Sequence, residues 1–286
     1  MTESATARYA MGYDDRERRR LQLQASIINP VTEQLLRRAG LGVGMRVLDV
    51  GSGVGDVAIL AARIVGAAGS VTACDLDEKA LAVLRERAAS EGLANISTLA
   101  GDLHELSLPH DIDAVTGRHI LIHLPDPLAI VRLASGLVKP GGVVVFQEYD
   151  FSVMHAGFPP TPLRDRTFEV FRDFFAKARH GNMGTRLPVL FAAAGLTDID
   201  ARAEYPVGPG VAESPYYEWF AESLRSILAR AVAAGVPGAS DVQIDTLEDR
   251  LRAEGVASGA VTPAPTMVGA VGRRPLHGPP NVSIKA

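Results

Sequence analysis

A chain of 286 residues, 47% hydrophobic and 22% charged, is long enough to bury a sizeable core as one large domain or a domain with an insert. Its formal net charge of -4 and its pI near 6.0 argue against a nucleic-acid partner, because phosphate binding needs a basic face. A single cysteine excludes an internal disulfide, and no 18-residue apolar run, signal peptide or metal-ligand spacing is present. These features predict a cytoplasmic protein without a membrane span or a bound metal.

Two helices are predicted before residue 40, over 16–23 and 30–39, and strand–helix alternation follows them. The predicted strands cover 47–50, 70–75, 95–100, 112–116 and 143–147, and the predicted helices cover 55–65, 78–90 and 127–138. The Lys-Pro-Gly-Gly stretch at 139–142 is predicted to be a turn before the fifth strand. Repeated alternation of this kind predicts an α/β fold with a parallel sheet covered on both faces.

Beyond residue 148 the pattern becomes mainly helical. A predicted helix over 163–178 carries an aromatic stripe of Phe168, Phe171, Phe174 and Phe175, which favours core packing but is compatible with a pocket wall. A short helix is predicted over 187–194. Predicted strands at 199–207 and 266–272 flank an insert with helices over 215–234 and 242–254, and the chain from Gly272 is predicted to be disordered.

The first predicted strand leads directly into a glycine-rich turn, Gly51-Ser-Gly-Val-Gly55, and then into an alanine-rich helix. Such a turn brings bare backbone and helix amides close to a ligand. Two details argue against a dinucleotide. Asp56 stands where the dinucleotide motif needs a third small residue. Asp49, two positions before the first glycine, would repel a pyrophosphate but could hold a cationic amino group.

Two further acids follow the next two predicted strands. Asp75 comes twenty residues after Gly55, where an acid accepts hydrogen bonds from both hydroxyls of a ribose. Asp102 follows the third strand. The sequence thus predicts three acids at the ends of three successive strands, with glycines after the first.

This combination resembles the class I S-adenosylmethionine-dependent methyltransferases, whose fold is a Rossmann-like, seven-stranded, mostly parallel sheet. The resemblance implies S-adenosylmethionine as cofactor and S-adenosylhomocysteine as product. It implies that the methionine portion is carried by Asp49, Gly51, Gly53 and Gly55. The ribose would be held by Asp75 with Leu76, and the adenine by Asp102 with Leu103.

The N-terminal stretch carries a second resemblance, to the opening helix of bacterial small-molecule methyltransferases, many of them from specialised metabolism. The residues that carry it are Tyr9-Ala-Met-Gly-Tyr13, Glu17, Arg20-Leu21 and Gln24. It implies that Tyr9 lies near the transferred methyl group and Gln24 near the methionine portion. The alternative is an ordinary amphipathic helix on the sheet.

The loops after the fourth and fifth strands supply the candidate chemistry. Methyl transfer requires alignment and exclusion of water, and requires a base only if the acceptor must lose a proton. His119 is the candidate base, with a hydrogen-bonded loop histidine as the alternative. Glu148, followed by Tyr149, is a candidate contact to the acceptor or a group that ties down a loop. Arg118 is a candidate partner for the cofactor's carboxylate, or a cap on the loop.

The predicted organisation is an N-terminal helical lid (1–40), a cofactor-binding core (41–210), a helical cap (211–262), a last core strand (263–274) and a disordered tail (275–286). The predicted function is methylation of a small, partly aromatic or apolar molecule at oxygen or nitrogen, or at carbon as in an indole. One alternative is a cyclase or rearrangement enzyme that uses the sulfonium as a fixed charge. A nucleic-acid or protein methyltransferase is disfavoured by the acidic pI. The sequence does not decide between a monomer and a homodimer.

Overall fold

The computed structural model describes residues 15–153, 155–177 and 181–276. The helices are α1 (Asp15–Arg38), α2 (Asp56–Val65), α3 (Glu78–Ser90), α4 (Pro127–Leu137), α5 (Pro162–Lys177), α6 (Met183–Ala193), α7 (Tyr216–Ala233) and α8 (Leu247–Ser258). The strands are β1 (Arg46–Val50), β2 (Ser70–Asp75), β3 (Ile96–Ala100), β4 (Ile112–Arg118), β5 (Val138–Asp150), β6 (Thr197–Glu204), β7 (Val207–Gly208), β8 (Thr262–Pro263) and β9 (Thr266–Arg273). Short 3₁₀-helices lie at Leu121–His123, Ala239–Asp241 and Ile244–Thr246.

Seven strands form one sheet in the order β3-β2-β1-β4-β5-β9-β6. The pairs β1–β2, β2–β3, β1–β4 and β4–β5 are parallel, which confirms the predicted α/β fold. The chain order reverses between β1 and β4, and ligands of open α/β sheets bind beyond the carboxyl ends of the strands at such a switch point. The ends of β1 and β4 therefore mark the expected site.

The chain divides into two compact units. The sheet unit comprises 31–148, 183–203 and 268–286, and its core joins the buried sides of β1, β2 and α2. The helical unit comprises 1–30, 149–182 and 204–267. Its core contains Phe168 and Phe171, which pack with Phe220 of α7.

From residue 15 to β1, the described chain contains one continuous helix, not the two that were predicted. Pro30 lies inside α1 and does not interrupt it. An internal proline costs roughly 3 kcal/mol because it removes one backbone donor and crowds the preceding turn. Buried apolar side chains on both sides of it, Ile28 before and Leu36 after, offset this cost by extending the apolar face.

The predicted turn at 139–142 is wrong, because β5 already begins at Val138. The two glycines of this stretch bond to the residue that follows β9: the Gly141 N–H donates to the Arg274 carbonyl, and the Arg274 N–H donates to the Gly142 carbonyl. The tail predicted from Gly272 also starts too early, since β9 continues to Arg273. Residues 277–286, most of the predicted tail, lie outside the described residues.

The strand predicted over 199–207 is divided into two. β6 ends at Glu204, and Val207 pairs instead with Pro263 in the antiparallel pair β7–β8. Pro206 stands between the two strands and has no N–H to donate to a ladder, which accounts for the break.

The basic run near the start of α1 pairs with α7 inside the helical unit. Arg16 Nε lies 2.9 Å from Glu222 Oε2, and Arg19 Nη2 donates to Glu218 Oε2 at 2.9 Å. These arginines therefore form a salt-bridged helix face.

None of the described helices is long and apolar enough to cross a membrane. Within the same part of the chain, no group of three or more His, Cys, Asp and Glu side chains could hold a metal ion.

Candidate active site

The glycine turn after β1 has three residues with positive φ, at +64° for Gly51, +52° for Gly53 and +89° for Gly55. A Cβ on Gly51 would lie 2.3 Å from Cδ1 of Ile120, and one on Gly55 would lie 2.0 Å from Cδ1 of Leu84. These two glycines are therefore needed for packing. A Cβ on Gly53 would meet nothing within 4 Å, so the backbone of Gly53 faces open space that a ligand can fill.

Asp75, the last residue of β2, holds this turn from the side. Its Oδ2 accepts a hydrogen bond from the Gly53 N–H at 2.8 Å, and its Oδ1 accepts one from the Asp77 N–H at 2.9 Å. A carboxylate has about four acceptor sites, so both oxygens can also accept hydroxyl hydrogen bonds. The neighbouring Leu76 is 57% exposed, an apolar surface beside the open turn.

Asp102 and Leu103 follow β3, at the adjacent strand end. Asp102 is exposed, and its Oδ1 accepts a hydrogen bond from the His104 N–H at 2.9 Å, so that it begins a turn. Leu103 is half-buried. Their predicted contact with an adenine stays a prediction.

Asp49 lies inside β1 rather than at its end, and it is only 1% exposed. Its Oδ1 accepts a hydrogen bond from the Thr116 hydroxyl at 3.0 Å, whereas its Oδ2 has no hydrogen-bond partner among the described residues. Burial raises the pKa of this carboxyl to about 7. An unsatisfied buried oxygen is costly in an isolated protein, and a ligand with an ammonium group would satisfy it.

Arg118, the last residue of β4, belongs to a charged network that sequence reasoning missed. Its Nη2 lies 3.1 Å from Asp56 Oδ2, and its Nη1 donates to the Thr32 hydroxyl at 2.9 Å. Asp56 also pairs with Arg87, whose Nη1 lies 2.8 Å from Oδ1. The Thr32 hydroxyl donates in turn to Gln147 Oε1 at 2.6 Å. One signal was available in the sequence, since Asp56 is the only acid in α2, a helix whose other residues are all apolar except Arg63.

His119 follows β4 directly, in a left-handed conformation with φ of +55°. Its backbone N–H donates to the carbonyl of Gln147 at 2.9 Å, and its side chain is half-buried. Non-glycine residues adopt this conformation at a cost of about 1 kcal/mol, which is characteristic of residues held in place at functional sites.

Glu148, near the end of β5, contacts the loop that follows β4. It is 0% exposed, and its Oε1 accepts hydrogen bonds from the N–H groups of Ile120 at 2.9 Å and Leu121 at 2.7 Å. Its Oε2 makes no hydrogen bond in the described part of the chain. Burial raises the pKa of the Glu148 carboxyl to about 8, against the opposing effect of the backbone donors. These two hydrogen bonds hold the loop that carries His119, and the predicted contact of Glu148 with the acceptor stays a prediction.

The raised pKa of Glu148 predicts a pH-dependent stability. From pH 4.5 to about 8 the unfolded chain ionises this carboxyl while the folded protein keeps it protonated, so the free energy of unfolding falls as the pH rises. Glu148→Gln cannot ionise. Relative to the unchanged protein, we expect it to gain on the order of 2 kcal/mol of stability between pH 5 and pH 8.

Urea unfolding at pH 5 and pH 8 measures this difference. Glu105→Gln, at an exposed glutamate of the same unit, is the matched control and should show no such gain. Parallel pH profiles for Glu148→Gln and the unchanged protein would contradict the buried, protonated carboxyl.

Two further predicted site residues, Gln24 and Tyr149, belong to the helical unit. Tyr149 is half-buried, with its ring 5.3 Å from that of Phe151. Gln24 lies on α1, where its Oε1 accepts a hydrogen bond from Arg20 Nη1 at 3.0 Å. Tyr9 lies outside the described residues. Their predicted contacts with cofactor and acceptor stay predictions.

Comparison with known proteins identifies the family. A family model described as "Methyltransferase domain" matches residues 41–179. The ubiquinone biosynthesis O-methyltransferase of Chromobacterium violaceum is 33% identical over 170 residues, which cover 55% of this chain and 72% of that protein. The chain belongs to the class I S-adenosylmethionine-dependent methyltransferases. The methyltransferase of the same name from Vibrio cholerae is 37% identical over 129 residues, 44% of this chain and 51% of that one. The chain thus spans about half the length of the first curated relatives it matches.

Solved structures with the same fold have lower sequence identity to this chain than these curated relatives have. The YcgJ protein from Bacillus subtilis has a TM-score of 0.55 at 18% identity, and the match covers 85% of this chain and 97% of that chain. The [4+2]-cyclase SpnF has a TM-score of 0.52 at 19% identity, and the match covers 87% of this chain and 82% of that chain. At such identities the likeness concerns the fold alone.

The residues of the sheet unit fit the family's cofactor. S-adenosylmethionine carries an ammonium, a carboxylate and a ribose, and no phosphate that the acids would repel. The orphaned oxygen of Asp49 suits the ammonium, and the Asp75 carboxylate suits the ribose hydroxyls. The open space at Gly53 admits a ligand between them.

Proposed function

We propose that this protein transfers a methyl group from S-adenosylmethionine to a small, partly aromatic acceptor. The observation that carries the proposal is the buried Oδ2 of Asp49, which needs a cationic partner beside the open turn at Gly53. The cofactor, when bound, supplies a methyl group already activated on a sulfonium. The chain's own residues have to orient it, hold the acceptor and exclude water.

The names of the relatives support an aromatic acceptor. The Chromobacterium violaceum relative is a ubiquinone biosynthesis O-methyltransferase. Demethylmenaquinone methyltransferase of Staphylococcus aureus is 35% identical over 117 residues, 41% of this chain and 48% of that protein. Methylation at a phenolic oxygen is therefore the first choice, ahead of nitrogen and of an electron-rich ring carbon such as that of an indole. A role in bacterial specialised metabolism is part of the same proposal.

Each candidate residue has one proposed role. His119 takes the proton of a phenolic acceptor, on a loop that Glu148 holds through two backbone amides. Arg118 faces the cofactor's carboxylate, and Gln24 the methionine portion. Asp75 with Leu76 holds the ribose, and Asp102 with Leu103 the adenine. Tyr9 and Tyr149 surround the acceptor.

Calorimetric titration with S-adenosylmethionine tests cofactor binding, and mass spectrometry after incubation with a panel of phenols, amines and indoles tests transfer. We expect micromolar binding and a product heavier by one methylene for at least one phenol. Absence of cofactor binding would overturn the proposal.

The same samples test the alternative of a cyclase, a reaction catalysed on this fold by SpnF. Methyl transfer forms one S-adenosylhomocysteine for each product, whereas a cyclase leaves the cofactor unchanged. Product without S-adenosylhomocysteine would decide for the cyclase.

A further inference from the structure

A buried threonine lies opposite Asp49 in the sheet unit. Asp49 of β1 pairs with Thr116 of β4 in the parallel ladder, and each residue is only 1% exposed. The Thr116 hydroxyl donates a hydrogen bond to Asp49 Oδ1 at 3.0 Å. Burying a hydroxyl or a carboxyl costs free energy unless the group is hydrogen-bonded, so this contact between neighbouring strands stabilises both side chains.

The two carboxyl oxygens of Asp49 have different surroundings. Oδ1 is bound by Thr116, whereas Oδ2 has no hydrogen-bond partner among residues 15–153, 155–177 and 181–276. The terminal torsion of an aspartate side chain has only a broad rotamer preference, so a hydrogen bond to one oxygen determines how the carboxyl plane is turned. Thr116 therefore controls the direction in which Oδ2 points.

The same hydroxyl influences the charge of Asp49. Burial raises the pKa of the Asp49 carboxyl to about 7, and the nearby Asp75 carboxylate acts in the same direction. Among the groups that lower this pKa, the Thr116 hydroxyl has the largest effect, followed by the Arg118 guanidinium and then the backbone amide of Ala58 in α2. A donor to a carboxylate favours its ionised form. Without the hydroxyl, Asp49 should therefore stay protonated up to a higher pH.

One more titratable group, Cys74 of β2, lies against Asp49. Its thiol donates to the Asp49 backbone carbonyl at 3.5 Å. Burial raises the pKa of the Cys74 thiol to about 12, so it stays neutral when Asp49 titrates.

We propose that Thr116 is a positioning residue for recognition of the cofactor's ammonium group, because its hydroxyl holds the Asp49 carboxylate with Oδ2 turned toward the ligand. The inference rests on the proposed function, since it takes S-adenosylmethionine as the ligand. It goes beyond that function by assigning the orientation and the ionisation of Asp49 to a residue that acts only through it. Removal of the hydroxyl should weaken binding of the amino-acid end and leave binding of the adenosine end intact.

Two ligands distinguish these ends. S-adenosylhomocysteine has both, and 5′-methylthioadenosine has the adenosine and the sulfur but no amino group. An ammonium group binds the ionised form of Asp49, so the affinity of the unchanged protein for S-adenosylhomocysteine should rise as the pH increases through about 7. Methylthioadenosine should lack this dependence, and any contribution from Asp75 should appear with both ligands.

Thr116→Val removes the hydroxyl and keeps the shape of the side chain. Calorimetry between pH 5.5 and pH 8.5 is expected to show the midpoint for S-adenosylhomocysteine raised by about one pH unit, which is about tenfold weaker binding at pH 6 and about twofold or less at pH 8.5. Titration of the ligand's own amine affects both proteins equally. Binding of methylthioadenosine should not change.

Three further variants serve as controls. Thr116→Ser keeps a hydroxyl and should restore the midpoint of the unchanged protein. Thr116→Cys places a weak donor at the same site, should give an intermediate shift, and serves if Thr116→Val does not fold. Thr72→Val removes a hydroxyl contact with Ser97 between two other strands of the sheet, and it should bind both ligands like the unchanged protein.

Asp49→Asn provides a second test, because an asparagine cannot ionise. Its affinity for S-adenosylhomocysteine should be weak and should not follow the pH, and adding Thr116→Val should cause no further loss. An unshifted midpoint in Thr116→Val, or equal losses for both ligands at every pH, would overturn the positioning role. Failure of the unchanged protein to bind either ligand would instead overturn the proposed function.

Discussion

Replacing Asp75 by alanine is expected to weaken S-adenosylmethionine binding by roughly 10²–10⁴-fold. The change removes the two hydrogen bonds that we propose to the ribose, each worth roughly 1.5–3 kcal/mol when the acceptor is charged. It also removes the hydrogen bond that the Gly53 N–H donates to Asp75 Oδ2 at 2.8 Å, which holds the glycine turn in place. Titration calorimetry with S-adenosylmethionine measures the change directly.

Two variants show which part of this loss comes from the ribose. Asp75→Asn retains one acceptor oxygen without the charge. Its affinity for S-adenosylmethionine should lie between those of the unchanged protein and Asp75→Ala. Asp77→Ala removes the cap of α3, whose Oδ1 accepts from the Lys79 N–H, and should cost about 1 kcal/mol of stability without changing cofactor affinity. Unchanged affinity in Asp75→Ala would refute the ribose assignment.

Replacing His119 by glycine is expected to lower turnover of a phenolic acceptor by roughly 10²–10⁴-fold, the usual contribution of a positioned base. Glycine suits the φ of +55° at this position, so the loop keeps its backbone conformation while the imidazole is removed. Cofactor affinity should not change. Steady-state rates with two phenols, one protonated and one already ionised at the assay pH, distinguish base catalysis from a general loss of activity.

The ionised phenol should lose little of its rate in His119→Gly. His123→Ala, at an exposed histidine four residues further along, is the control and should leave both rates unchanged. If both phenols slowed equally in His119→Gly, the imidazole would be a structural element of the loop and not a base.

Much of the fold follows from local sequence patterns. The apolar run at β1 and the glycines after it predict a strand, a turn and a helix, and the structure has β1 and α2 at these places. Predictions failed where contacts distant in the sequence decide the structure. Gly141 and Gly142 belong to β5 because they pair with Arg274, more than 130 residues away. No local pattern contains that pairing.

In the candidate site, too, local sequence patterns predicted some features, and contacts between distant residues decided others. Asp49 and Asp75 were identified from their spacing to the glycines, and the structure places Asp75 against the turn itself. Spacing does not indicate burial, so it could not show that Glu148 faces the interior. It also could not indicate Thr32, because a threonine on a helix carries no local sign of the arginine it contacts 86 residues later.

The helical unit is assembled from three separate stretches of chain, 1–30, 149–182 and 204–267, and its boundaries fall inside α1 and β5 rather than in flexible linkers. No single cut of the polypeptide can release it intact. Chimeras made with a relative at one crossover point would therefore join mismatched halves of the same hydrophobic core. Transfer of this unit between family members requires that all three stretches be exchanged together.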